Sequence, residues 1–208
     1  MLSHNLDHRL DRLLSGLLSH IHRLGIGPNF LTITSVVVAI PAVIFFGLGQ
    51  GLWGGLILLI SGLFDILDGA LARTQGKVTR FGGFLDSVLD RYVDLGILAG
   101  IAYYYGSSGQ KTLLLWTLMA MSGTALIPYV RARAELIIPR CSIGIAERPE
   151  RIIMLAAGGI FNLLPYAIPV LALITHVTTL QRIIFTRRQE KKYRIQNTED
   201  RSQKLEEE

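Results

Sequence analysis

The sequence predicts an all-α, polytopic membrane protein, with six transmembrane helices preceded by an N-terminal amphipathic interfacial helix. Three observations carry that expectation. Half of the 208 residues are hydrophobic and 18% are charged, a low share for a soluble domain. The hydrophobic residues fall in long blocks separated by short charged stretches. Lys and Arg gather in alternate connections between those blocks.

Residues 1–24 place Leu2, Leu6, Leu10, Leu13, Leu17, Ile21 and Leu24 on one helical stripe. Asp7, His8, Asp11, Arg12, Ser15, His22 and Arg23 occupy the other face, so this helix is expected to lie along the membrane interface. Pro28 then breaks the chain. Apolar blocks follow over 30–48, 52–72, 84–105, 113–130, 152–164 and 165–185. About 20 residues cross a hydrocarbon core of about 30 Å. The fifth block is shorter than that, so it must recruit Pro149 to Arg151 or sit inside the bundle. Residues 1–185 read as one membrane domain and residues 186–208 as a charged tail.

The net charge is +5. Arg73, Lys77 and Arg80 follow the second block, and Arg131, Arg133, Arg140, Arg148 and Arg151 follow the fourth. The other connections contain only Lys111. The positive-inside rule puts both termini, both basic loops and any site beside them in the cytoplasm, in a multi-pass protein of the cell membrane. The same rule accounts for the basic residues without nucleic acid as a partner. Cys141 is the single cysteine, which excludes an intrachain disulfide and a cysteine-rich metal site. No cleavable signal peptide is evident, because the first long apolar run lies behind a polar, His-rich segment.

The second and third blocks contain what a spanning helix avoids. Asp65 and Asp68 stand at i, i+3 near the end of the second, and Asp86 and Asp90 at i, i+4 near the start of the third. Each pair shares a helix face. The short basic connection is expected to bring the two helix ends side by side, so that the four carboxylates converge. Like charges that close repel strongly at low dielectric, so either protons or a cation neutralise them, unless Arg73, Arg80 and Arg91 pair with them in structural salt bridges. An all-oxygen ligand set favours hard cations, Mg²⁺ or Mn²⁺. Gly69, Ala70, Ala72, Gly82 and Gly83 leave room for close helix approach and for a bulky phosphate. Asp94 lies about two turns beyond Asp86 and reads as a support behind the ligands or as a partner for a helix polar group, not as a ligand.

The full pattern is Asp65, Asp68, Gly69, Ala72 and Arg73, then eight residues to Gly82, and then Asp86 and Asp90 at intervals of four. It resembles, without a departure, the signature of the CDP-alcohol phosphotransferase family. The resemblance implies two divalent cations held by Asp65, Asp68, Asp86 and Asp90, with Asp90 also the general base. It implies that Gly69, Arg73 and Thr79 contact the diphosphate of a CDP-lipid, CDP-diacylglycerol or CDP-archaeol. Pro28, Asn29 and Thr32 resemble the family's nucleotide-side entry to the first span, and a homodimer is implied as well.

Arg131, Arg133 and Glu135, then Glu147, Arg148, Pro149, Glu150 and Arg151, resemble motifs of the phosphatidylinositol-phosphate and archaetidylinositol-phosphate synthases. Leu180, Gln181 and Arg182 resemble a third element of that subgroup. Arg131 stands where bacterial members carry Lys. The subgroup implies that Arg131, Arg133, Arg148, Arg151 and Arg182 bind the phosphate of an inositol phosphate acceptor, a dianion that convergent arginines suit. Glycerol 3-phosphate is the alternative acceptor. An intramembrane divalent-cation carrier is the alternative of another class, and it predicts carboxylates spread through the membrane depth.

Overall fold

The computed structural model describes the backbone of residues 27–74 and 79–207, and the side chains within them except those of Asn29 and residues 193–207. The interfacial helix expected over residues 1–24 lies outside the described residues. Six helices follow: α1 Pro28–Gly47, α2 Gly51–Thr74, α3 Arg80–Ser107, α4 Lys111–Ala134, α5 Arg148–Ile160 and α6 Leu164–Glu207. Among the described residues there is no strand.

Local sequence sets the helix ends. Pro28 opens α1 and Pro149 stands in the first turn of α5, where a missing N–H costs nothing. The α1–α2, α3–α4 and α5–α6 connections share one device. A left-handed residue follows the helix: Gly49 (φ 73), Gly109 (φ 71) or Asn162 (φ 57). The next N–H closes on a carbonyl five residues back: Gln50 on Phe45 at 2.8 Å, Gln110 on Tyr105 at 2.9 Å, and Leu163 on Gly158 at 2.7 Å. These tight turns contrast with residues 135–147, a longer non-helical segment joining α4 to α5 at the opposite end.

The principal packed pairs are α1 with α2, α2 with α5, α5 with α6, α6 with α4, α4 with α3, and α3 with α1. They close a ring of six helices. Ala39, Ala42, Phe46, Leu58, Ile97, Ile101 and Leu171 fill its buried core. Small residues set the spacing at two seams. A Cβ on Gly100 would stand 2.5 Å from the Val43 carbonyl oxygen, and one on Gly55 2.5 Å from that of Ala156. Only glycine permits those backbones to lie so close.

Among the described residues, four helices are long and apolar enough to cross a membrane: Phe30–Gly47 within α1, α2, α4, and Leu164–Lys192 within α6. Their outward faces carry exposed Val37, Ile44, Leu59, Leu118, Leu173 and Val177. The 28-residue α3 has the length but contains Asp86, Asp90, Arg91 and Asp94. The 13-residue α5 begins at Arg148, so it includes Pro149 to Arg151. The charged segment after residue 185 continues α6 without a break to Glu207.

Candidate active site

Asp65 and Asp68 lie one turn apart on α2, and Asp86 and Asp90 one turn apart on α3. These two helices are not a principal packed pair; both lean on α1. The carboxylates therefore meet across a gap in the ring and not along a helix seam. One ligand oxygen from each of Asp65, Asp68 and Asp86 falls within 4.8 Å of the others. Asp68 Oδ2 and Asp86 Oδ1 are buried with no hydrogen-bond partner. Buried polar atoms are normally satisfied, and two orphaned carboxylate oxygens in an all-oxygen cluster fit a hard divalent cation. Thr32 on α1 places its side chain beside Asp68.

The small residues open one side of the cluster. A Cβ on Gly83 would meet nothing within 4 Å, and one on Gly69 only Arg73 Nη1 at 3.4 Å. Arg73 is an exposed cation in the last turn of α2, beside that opening. Thr79 is the N-cap of α3, and its hydroxyl oxygen accepts from the Gly82 N–H at 2.9 Å. The side chain of Asn29 lies outside the described residues.

Asp90 stands slightly apart from the other three. Arg148, at the start of α5, ties it to them. Arg148 Nη1 is bonded to Asp65 Oδ2 and lies 2.9 Å from Asp90 Oδ1. Arg148 Nε is 3.7 Å from Asp94 Oδ1, and Arg151 Nη2 is bonded to Asp94 Oδ2. Asp94 therefore partners arginines, in the manner expected of it. Arg91 hydrogen-bonds the Ser87 carbonyl and lies 3.9 Å from Asp90.

Asp90 also faces a cavity of about 1310 Å³ between α3, α4, α5 and α6. Arg91, Arg131, Arg148, Arg151 and Arg182 line it, with Asp94, Glu135 and Glu147. The structure thus gathers four of the five arginines expected on the acceptor side in one cavity. Arg133 is exposed and lies outside the cavity lining.

The arginines differ in how their donors are engaged. Arg182 is 3% exposed; its Nε reaches the Ile143 carbonyl at 2.9 Å and its Nη1 the Ile127 carbonyl at 2.7 Å. Arg151 gives Nη1 to the Ala146 carbonyl at 3.0 Å besides its bond to Asp94. Ala146 in turn donates its N–H to Thr178 Oγ1 at 3.1 Å. The connection over residues 135–147 is therefore pinned to α4, α5 and α6. Outside the spanning segments, Glu135 accepts from Arg131 Nε at 3.1 Å and from the Cys141 N–H at 3.3 Å. Burial pushes the Glu135 carboxyl up, but these two hydrogen bonds prevail and hold it below the usual carboxylate range.

Sequence reasoning quoted Glu135 within the Arg131 motif without giving it a role, and considered Arg91 only as a structural salt-bridge partner of the aspartates. Arg91 is a charge inside an apolar block next to Asp90. The Arg148–Asp65 pair joins residues 83 positions apart, a contact that one sequence does not signal.

A family model described as CDP-alcohol phosphatidyltransferase matches residues 26–187. The chain is 40% identical over 169 residues to the archaetidylinositol phosphate synthase of Methanothermobacter thermautotrophicus, covering 78% of this chain and 84% of the relative. It is 38% identical over 176 residues to the phosphatidylinositol phosphate synthase of Mycobacteroides abscessus, covering 80% of each. Among solved structures it is similar to the Mycobacterium tuberculosis phosphatidylinositol phosphate synthase with CDP-DAG bound, at a TM-score of 0.77 and 28% identity over 84% of this chain and 94% of that one. The same enzyme with manganese and citrate gives a TM-score of 0.76 at 29% identity, covering 82% and 87%. The match takes in all four aspartates and the arginine-lined cavity beside them, and the chain belongs to the CDP-alcohol phosphatidyltransferase family.

Proposed function

We propose that this protein transfers a phosphatidyl or archaetidyl group from a CDP-lipid to a hydroxyl of an inositol phosphate, releasing CMP in phospholipid biosynthesis. The observation that carries this reading is the place of Asp90. It borders the carboxylate cluster through their shared Arg148, and it lines the cavity that the arginines make cationic. The names of the relatives support the acceptor, and CDP-DAG in the solved neighbour supports the donor.

Asp65, Asp68, Asp86 and Asp90 would hold two divalent cations, Mg²⁺ or Mn²⁺; manganese in the solved neighbour supports a metal. Bound there, the cations supply charge neutralisation for the diphosphate and for the departing CMP. The protein's own groups do the rest. Arg73 and the open space at Gly69 and Gly83 receive the diphosphate, with Thr79, Thr32 and Asn29 on the nucleotide side. Arg148 and Arg131 draw the acceptor's phosphate into the cavity, and Arg151 and Arg182 fix the walls that carry them. The acceptor hydroxyl attacks the β-phosphorus, the bond to the CMP oxygen breaks, and Asp90 takes the hydroxyl proton.

Apolar tails would remain in lipid while both head groups meet at the water boundary. That arrangement has α3 and α5 completing six spans, with both termini and the site on the cytoplasmic side of the cell membrane, in a homodimer. The basic residues between α2 and α3 and between α4 and α5 support the orientation.

The test is an acceptor panel. Purified protein with Mn²⁺ and either CDP-diacylglycerol or CDP-archaeol is offered inositol phosphate, glycerol 3-phosphate, inositol or serine. CMP release and the mass of the lipid product are followed. The expected product is a lipid inositol phosphate, and transfer to glycerol 3-phosphate alone would overturn the acceptor while leaving the chemistry at the aspartates intact.

A further inference from the structure

Asp94 is a carboxylate that the transfer chemistry does not use, yet it sits 10% exposed in the interior, two turns past Asp86 on α3. A buried charge persists where it is paired, and removing one partner strands the other. Asp94 has two cationic partners, both from α5. Its Oδ2 accepts from Arg151, whose side chain is 7% exposed, and its Oδ1 lies 3.7 Å from Arg148 Nε.

The Arg151 arm reaches further. Arg151 Nη1 holds the Ala146 carbonyl at 3.0 Å, and the Ala146 N–H is held by Thr178 at 3.1 Å. Ala146 stands two residues before Arg148. A chain of polar contacts therefore runs from Asp94 through Arg151 to the backbone that launches α5, the helix whose first residue is Arg148. The direct arm acts on the same target. Arg148 is drawn to Asp65 and Asp90 on one side, and the Asp94 charge attracts it from the other.

A small void beside this pair completes the picture. Asp94, Arg151 and Thr124 line a pocket of about 10 Å³ with apolar walls from Leu58, Ile97 and Leu155. Arg151 Nε and Thr124 Oγ1 are buried without a partner. That is room for about one water, with polar groups to hold it. Arg151 is held through Nη1 by the Ala146 carbonyl and through Nη2 by Asp94, while Nε faces this pocket.

We propose that Asp94 is a positioning residue for the acceptor side of the reaction, fixing Arg148 at the cavity wall through Arg151 and Ala146 and through its own charge. This rests on the proposed acceptor reading. Asp94 is not assigned to the cations: it lies a turn beyond Asp90, its Oδ2 is bonded to Arg151 and its Oδ1 faces Arg148 Nε.

The test compares wild type with Asp94→Asn, Arg151→Ala and the double variant. The readouts are KM for inositol phosphate, KM for the CDP-lipid, and Mn²⁺ affinity by titration calorimetry without substrates. Asp94→Asn should raise the acceptor KM roughly tenfold, the size of one weakened charge-assisted hydrogen bond. The CDP-lipid KM and the Mn²⁺ affinity should stay within about twofold on the same reasoning. The double variant should be no worse than the more damaging single change, because the two residues act as one unit. A parallel loss of Mn²⁺ affinity would make Asp94 a ligand, and a fall in thermal stability with unmoved KM values would make it structural; either overturns the proposal. Should Asp94→Asn not fold, Asp94→Glu keeps the charge and should show the same KM split at smaller size, and an unmoved acceptor KM there overturns the proposal equally. If wild type uses another acceptor, the inositol phosphate reading fails, and the KM for that acceptor judges Asp94.

Discussion

Arg148 Nη1 lies 2.9 Å from Asp90 Oδ1 while bonded to Asp65, so one guanidinium bridges carboxylates from two helices that are not a principal packed pair. It supplies the counter-charge that a cation would otherwise provide. A cation taking the same oxygens has to displace Nη1, which frees Arg148 toward the cavity. Arg148→Ala should therefore bind Mn²⁺ more tightly in the absence of substrates, by roughly the tenfold of one charge-assisted hydrogen bond. The same variant should raise the acceptor KM. Titration calorimetry reads the first effect, and weaker Mn²⁺ binding would show that Arg148 organises the carboxylates instead of competing for them.

Asp68 Oδ2 and Asp86 Oδ1 have no hydrogen-bond partner. Their replacement by Asn removes a ligand charge without removing a fold contact at those atoms. Asp68→Asn and Asp86→Asn should leave the inserted, folded protein intact but lower CMP release at least a hundredfold, with Mn²⁺ affinity falling in step. Asp65→Asn should do the same and also release Arg148. Full turnover by any of the three would remove that residue from the ligand set.

Asp90→Asn separates base from ligand. General-base catalysis contributes typically 10²- to 10⁴-fold. The variant should lose turnover on that scale while CDP-lipid binding survives on Asp65, Asp68, Asp86 and Arg73. Equal losses of CDP-lipid affinity and rate would assign Asp90 to metal binding alone.

How much of this was legible in the sequence differs by residue. The meeting of Asp65, Asp68 and Asp86 was, because carboxylates at i, i+3 and i, i+4 in apolar helices have to be neutralised together. All six expected blocks correspond to helices, since long apolar runs bounded by Gly and Pro leave few other solutions. What escaped was what depends on the ring order. Adjacency along the chain suggested that α2 and α3 pack side by side, whereas α1 inserts as their common neighbour and α5 delivers Arg148 between them. All five arginines were expected at the acceptor phosphate, since charge is visible in sequence and hydrogen bonding is not. Arg182 shows what sequence hides: its Nε and Nη1 are engaged by backbone carbonyls that no periodicity reveals.

Arg182→Ala tests that distinction. It would leave the Ile143 carbonyl in the 135–147 connection without its partner, at a cost of about 1–3 kcal/mol if left unsatisfied, and would remove the tie to the Ile127 carbonyl of α4. Thermal stability should fall and the acceptor KM should rise together. Arg131→Ala should instead raise the acceptor KM with little change in stability, because Arg131 is half-exposed and paired only with Glu135. Arg140→Ala, exposed and outside the cavity, should change neither. Stability curves in detergent and acceptor saturation curves, run on the three variants, separate the roles.

Glu135 gives a pH signature outside the spanning helices. Its carboxyl is held below the unperturbed value of 4.5 by the Arg131 and Cys141 N–H bonds, despite an opposing contribution from burial. A carboxyl lowered in the folded state contributes stability that is fully present above its unfolded value and is lost as pH falls through its folded value. The bond from Arg131 and the bond from the Cys141 N–H together tie the 135–147 connection to the end of α4. Wild type should therefore melt above Glu135→Gln by a constant margin from neutral pH down to about pH 5, and the margin should close as pH falls through and below 4.5. The side chain is 35% exposed, so the margin should be small and should shrink with added salt. A margin that is independent of pH would assign the effect to the shape of the side chain and not to its charge.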